Sequence, residues 1–235
     1  MVMAVLEAVL FDLDDTLLQT DTEAFVRRYF GALEAYFSDG SAAAPGQLTG
    51  WIMQATAAVV DEPHPDRTNQ EAFTDAFSRL SGMETAVVWP RFSRFYREIY
   101  PTLGEGLAPM PGGVQAVAAA LNQGLKVAVA TNPLFPLEAV RHRLRWAALS
   151  EDQFDLVTTL ENMHWTKPNP EYYREVAACL GVESSRCLMV GDSRENDIDP
   201  ARQAQMLTYQ VGDGDGAHAG GDMHRLARAI EEGGI

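Results

Sequence analysis

Short apolar runs recur along the chain, and each stops abruptly at polar residues: 8–13, 125–131, 154–159 and 187–192, with 206–211 reading as a fifth. Runs of this length without polar alternation predict strands buried on both faces, as in a parallel sheet. The stretches between them carry helix punctuation. Pro111 opens a helix over 112–122 that Gly124 closes, Pro136 opens the next, and Asn169 with Pro170 opens another that Gly181 closes. This alternation predicts an α/β fold with a doubly wound parallel sheet. The rhythm breaks between 19 and 109, where helical patterns follow one another with no convincing strand. The clearest covers 21–36, and Pro90 starts or kinks a second over 91–100. The pattern therefore predicts a core built from 1–18 and 110–235, with 19–109 inserted after the first strand as a helical cap.

Composition narrows the picture. A chain of 235 residues with 46% hydrophobic and 22% charged residues can bury a substantial core. A net charge of −15 repels phosphate backbones and anionic lipid, which argues against nucleic-acid and membrane partners. The first ten residues are apolar but lack Lys and Arg and contain Glu7, which fits neither a signal peptide nor a spanning helix. A cytoplasmic protein is expected. Two cysteines, Cys179 and Cys187, cannot form a disulfide framework and read as core thiols in a reducing compartment. Oligomeric state is not legible in the pattern.

The chemistry gathers where the strands end. Open parallel sheets place their ligand crevice at the carboxyl ends of the strands, so residues distant in sequence meet there. Those residues are Asp12 and Asp14, Thr131 and Asn132, Lys167 in the loop beyond Thr159, and Asp192 with Asp197. The two-residue spacing of Asp12 and Asp14 can aim two carboxylates, or a carboxylate and a backbone carbonyl, at one ion. Several acidic groups around a strand end are costly without a cation, and hard oxygen donors of this kind suit Mg²⁺.

Four ordered segments carry a family resemblance: Phe11-Asp12-Leu13-Asp14-Asp15-Thr16-Leu17, Ala130-Thr131-Asn132, Lys167-Pro168-Asn169-Pro170, and Gly191-Asp192-Ser193 followed by Asn196-Asp197. Together they resemble the haloacid dehalogenase-like (HAD) hydrolases, from Leu10 to about Val211. The resemblance implies a Rossmann-like core and a phosphoaspartate mechanism acting on a small phosphorylated substrate. In it Asp12 is the nucleophile, Asp14 the general acid and base, Thr131 and Lys167 (with Asn132) the phosphate ligands, and Asp12, Asp14 and Asp192 the Mg²⁺ ligands. Asp197 is a secondary ligand or an acceptor behind the first set. The implied function is a Mg²⁺-dependent phosphomonoesterase. A phosphoryl-transferring mutase of the same fold stays open. A dehalogenase is disfavoured by Asp14, and a receiver-like phosphoaspartate switch by the chain length and the large insertion.

Other features read as structure. Asp15 is expected to act locally, the Gly- and Asp-rich stretch 212–217 as a loop, His164 and Trp165 in local packing, and His64 in a cap loop. Arg91, Arg94 and Arg97 alternate with Phe92, Phe95 and Tyr96, the pattern of a solvated face over an aromatic one. The cap has seven Arg against twelve Asp and Glu, so its net charge does not attract phosphate, and these arginines are the first to examine for substrate steering. Residues 201–206 lack the glycine that the family often places before the last strand.

Overall fold

β1 (Ala8–Phe11) lies near the middle of a six-stranded sheet in the computed structural model, which describes residues 6–38, 46–212 and 217–234. After a tight turn the chain forms β2 (Leu18–Gln19), then α1 (Thr22–Ser38), α2 (Gln47–Asp61), α3 (Asn69–Ser81) and α4 (Thr85–Glu98). It returns along β3 (Ala108–Pro109), antiparallel to β2. This two-stranded ribbon at the neck of the insertion has too few residues for any periodicity to reveal it. The remainder alternates: α5 (Gly113–Asn122), β4 (Lys126–Val129), α6 (Leu137–Trp146), β5 (Leu156–Val157), α7 (Pro170–Leu180), β6 (Cys187–Gly191), α8 (Asp199–Gln203), β7 (Leu207–Val211), β8 (Ala219–Gly221) and α9 (Met223–Glu231).

The strand order is β5-β4-β1-β6-β7-β8, and every neighbouring pair is parallel. Successive side chains of β1 go to opposite faces. Val9 and Phe11 join a cluster with Val117, Ala120 and Leu226, while Ala8 and Leu10 join Tyr172, Val176 and Met189. Both faces are covered, which is why the strands read as unbroken apolar runs. β5 is shorter than the predicted 154–159, because pairing with β4 extends only from Leu156 to Val157 before the chain turns toward Lys167. β8, beyond the Gly- and Asp-rich stretch, is an unpredicted edge strand; residues 213–216 of that stretch lie outside the described residues.

The inserted helices supply most of a third cluster, in which Phe25, Leu33, Phe77, Phe92 and Phe95 are buried and which Ala139 of α6 joins. α3 opens with a capping box between Thr68 and Glu71. Its next amides, without helical partners of their own, bond the other part of the chain: Asn69 donates to the Met163 carbonyl and Gln70 to the Leu160 carbonyl, each at 2.8 Å. The Asn69 amide nitrogen also reaches the Pro133 and Trp165 carbonyls, while its oxygen faces His64 Nε2 at 2.8 Å. His64 thus orients the residue that docks α3 onto the loops after β4 and β5.

One expectation is corrected. Cys187 is buried, but Cys179 is exposed, because on α7 it follows the buried stripe of Val176, Ala177 and Leu180 without joining it. Among the described residues no helix is long and apolar enough to cross a membrane.

Candidate active site

Phe11 pairs with Val129 on one side and Val190 on the other, so β4, β1 and β6 end at one level. Asp12 leaves β1, Thr131 follows β4 and Asp192 follows β6 at this shared edge. Lys167 arrives from the loop beyond β5 and is almost wholly buried. Its ammonium donates to Asp12 Oδ1 and Asp197 Oδ1, both at 2.6 Å. Burial opposes the lysine's charge, but the two carboxylates outweigh it and hold the ammonium above its ordinary range.

Asp197 sits on a single wide π-type turn, Arg194–Ile198, and is buried. Its Oδ2 accepts from the Ser193 amide at 3.1 Å, and its carboxylate lies against the α-carbon of Gly191. A Cβ on residue 191 would overlap that carboxylate, so the glycine is needed for close approach rather than for an unusual φ. Asp12, Asp192 and Asp197 each offer an oxygen within 4.8 Å of the others. Burial, and then Asp197, push the Asp192 carboxyl up to about 6. Three carboxylates against one ammonium leave two negative charges, which matches one divalent cation, and an all-oxygen donor set suits Mg²⁺.

Asp14 lies elsewhere. Its carboxylate is outside this trio: Oδ2 accepts from Arg143 Nη1 at 2.5 Å and Oδ1 from the Thr20 hydroxyl at 3.3 Å. Arg143 is a residue the motifs do not reveal. Its Nε donates to the Tyr100 hydroxyl at 2.8 Å, and its guanidinium stacks on Phe135 and Phe25, 4.3 and 4.9 Å from the ring centroids. It therefore ties Asp14 to two side chains of the insertion, Tyr100 and Phe25. A signal was available: Ala139, Val140, Arg143, Leu144 and Ala147 fall at helical spacing, which puts an arginine on the buried stripe.

Thr131 is held through its backbone. Its carbonyl accepts from the hydroxyls of Tyr172 and Thr158, each at 2.8 Å. The Asn132 side chain accepts from the Lys167 amide at 3.3 Å, which links the two loops. Asp15, at φ 57, accepts from the Thr20 amide through Oδ1 and shapes the turn into β2. His164 pairs with Glu175 at 2.6 Å, a contact within its own loop and α7. The arginine stripe does not join the strand ends. Arg94 and Arg97 are exposed, Arg94 pairs with Glu98, and Arg91 stacks on Phe37, while Phe92, Phe95 and Tyr96 point inward.

A family model described as haloacid dehalogenase-like hydrolase matches residues 6–205. The chain is 26% identical over 207 residues to the pyrophosphatase PpaX of Halalkalibacterium halodurans, covering 88% of this chain and 84% of that protein. It is 39% identical over 103 residues to hexitol phosphatase B of Escherichia coli K12, a match spanning 43% of this chain and 44% of the relative. A crystal structure of a HAD phosphatase from Thermococcus onnurineus superposes with a TM-score of 0.60 at 20% identity, covering 96% of this chain and 98% of that one. At that identity the likeness speaks for the fold.

Proposed function

This chain belongs to the haloacid dehalogenase-like hydrolases, and on that premise we propose that it is a Mg²⁺-dependent phosphatase that hydrolyses a small phosphomonoester through an aspartyl phosphate on Asp12. The observation that carries this reading is the buried Lys167 ammonium held between Asp12 and Asp197 with Asp192 beside them. A carboxylate attacks phosphorus only if the negative charge of the phosphoryl group is offset, and Lys167 supplies one compact positive charge where Asp12 would attack. Mg²⁺ would be held by Asp12 and Asp192 with Asp197 behind them, and would add Lewis-acid polarisation of the phosphoryl oxygens. Since Arg143 occupies the Asp14 carboxylate, any part of Asp14 in holding the ion falls to its backbone carbonyl.

In the first step an Asp12 oxygen bonds phosphorus, the ester P–O bond breaks, and Asp14 gives its proton to the departing alkoxide. In the second, Asp14 takes a proton from water, whose oxygen bonds phosphorus as the Asp12 oxygen–phosphorus bond breaks, releasing inorganic phosphate and restoring the Asp12 carboxylate and the protonated Asp14. Thr131 offers a hydroxyl donor at the end of a strand whose backbone Tyr172 and Thr158 hold still. The helical insertion acts as the cap that closes over the crevice, and Arg143 makes the orientation of Asp14 depend on how cap and core pack.

The test is release of inorganic phosphate from a panel of phosphomonoesters with Mg²⁺ and after exhaustive chelation. Release that needs Mg²⁺ is expected, and full activity in chelator would remove the ion from the mechanism.

Asp192 supplies an independent check. In the metal-free folded protein it holds its proton to about pH 6, against an ordinary aspartate value near ~4. Between these values the folded state binds more protons than the unfolded one, so this group's contribution to stability declines as pH rises through the window. Mg²⁺ competes with that proton. The rise in Tm on adding Mg²⁺ is therefore expected to be larger at pH 7 than at pH 4.5. An equal rise at both would detach Asp192 from the ion.

A further inference from the structure

The inserted helices and the loops after β4 and β5 enclose a cavity of about 410 Å³, within the range of ligand pockets, roughly 300–1,000 Å³. Its walls include Tyr29 of α1, Ile52 of α2, and Phe92 and Tyr96 of α4. Leu134, Phe135 and Leu160 contribute from the other side. Leu134 and Phe135 follow directly on Thr131-Asn132-Pro133, and Leu160 lies in the loop just beyond β5. The Leu160 amide donates to the Phe135 carbonyl at 2.9 Å, so this side is one connected surface that begins at the proposed phosphate ligands.

The chemistry of the lining is one-sided. Among the described residues no Lys or Arg lines the cavity, and Asp61 is the only charged side chain on it. The Tyr29 and Tyr96 hydroxyls bond each other at 2.6 Å, which satisfies these polar atoms and leaves the rings as wall. Val26, Met53 and Val60 line it and remain 41%, 58% and 39% exposed, so it opens to solvent past apolar side chains. Such a lining offers no countercharge to a second anionic group and few donors to a polyol, and it desolvates hydrocarbon at little cost. Phe135 also carries the guanidinium of Arg143, which bonds Asp14, so the cavity wall is one side chain removed from the proposed general acid.

We propose that this cavity seats the organic portion of the substrate, and that the preferred ester is the phosphate of an apolar alcohol, aliphatic or aromatic, rather than of a sugar or polyol. The assignment rests on the phosphatase reading for the position of the phosphate, and the apolar lining selects the rest. Burial of one methylene corresponds to about a fourfold gain in binding. Along ethyl, butyl and hexyl phosphate, kcat/KM is expected to rise by about this factor per methylene, with glycerol phosphate and hexose phosphates well below hexyl phosphate.

Two variants place bulk or charge on the lining, Thr56→Trp and Met53→Arg. Both positions are at least partly exposed, and retained helical circular dichroism confirms folding. Each variant is expected to flatten the chain-length slope, whatever its absolute rate. Binding is read separately, by calorimetric titration of the parent and of each variant with ethyl-, butyl- and hexylphosphonate, whose P–C bond is not hydrolysed. Affinity rising with chain length in the parent and not in the variants supports the subsite. Hydrolysis of small esters with no dependence on chain length, or a preference for hexose phosphates, overturns it while leaving the phosphatase reading standing. Graded phosphonate binding without turnover of any ester keeps the apolar subsite and rejects the phosphatase reading.

Discussion

Asp12→Asn leaves the protein folded and lowers turnover by at least about 10³-fold, because a neutral amide oxygen does not form the aspartyl phosphate and catalytic groups acting as a unit fail together. The substitution keeps the size and shape of a side chain that lies just past a buried strand. The Lys167 ammonium still finds Asp197 at 2.6 Å, so one charged partner survives. Steady-state phosphate release, with a thermal melt of the same preparation, separates chemistry from folding. A folded variant with the parent rate would exclude Asp12 as nucleophile. In parallel, acid quenching of the parent during turnover of a ³²P-labelled ester should trap label on the protein, and Asp12→Asn should trap none.

Lys167→Met is expected to damage stability as well as activity. It leaves Asp12 and Asp197, both buried, without their shared ammonium. Removing one partner of a buried ion pair costs about 3–5 kcal/mol, because the charge left behind has lost both water and its countercharge. The remaining carboxylates then hold protons more strongly when folded than when unfolded. The folded state binds the excess protons, so the variant's stability falls as pH rises above the ordinary aspartate range and recovers on acidification. The parent, whose lysine already neutralises part of the cluster, should show a weaker trend. Chemical denaturation in chelator at pH 5 and pH 8 measures this. A variant no less stable than the parent at pH 8 would mean that the three groups do not share a buried charge balance.

The sequence by itself determined the sheet and the neighbourhood of its chemistry. Strands covered on both faces must be apolar throughout, so 8–13, 125–131 and 187–192 stood out, and the polar residues that end them could only collect at one edge. Asp12, Thr131, Lys167 and Asp192 were found this way, because chain topology and strand polarity bring them together without reference to side-chain detail. The turn before β7 is a partial case. It forms without the glycine usual in the family, with Gln205 at φ 68, a conformation that costs an L-residue about 1–2 kcal/mol and leaves no mark on hydrophobic periodicity.

Tertiary structure alone decided which charge faces which. Spacing allowed Asp14 to share an ion with Asp12, yet its carboxylate turns to Arg143, a residue 129 positions away. Asp197, expected only as a secondary ligand or an acceptor behind the first set, is buried against Gly191 and bonded directly to Lys167. Arg94 and Arg97 on α4 turned outward, while Phe92 and Tyr96 of the same helix became cavity wall. Electrostatic pairing acts over a few ångströms between side chains from different elements. Its outcome depends on helix packing and rotamers, which one-dimensional periodicity does not encode.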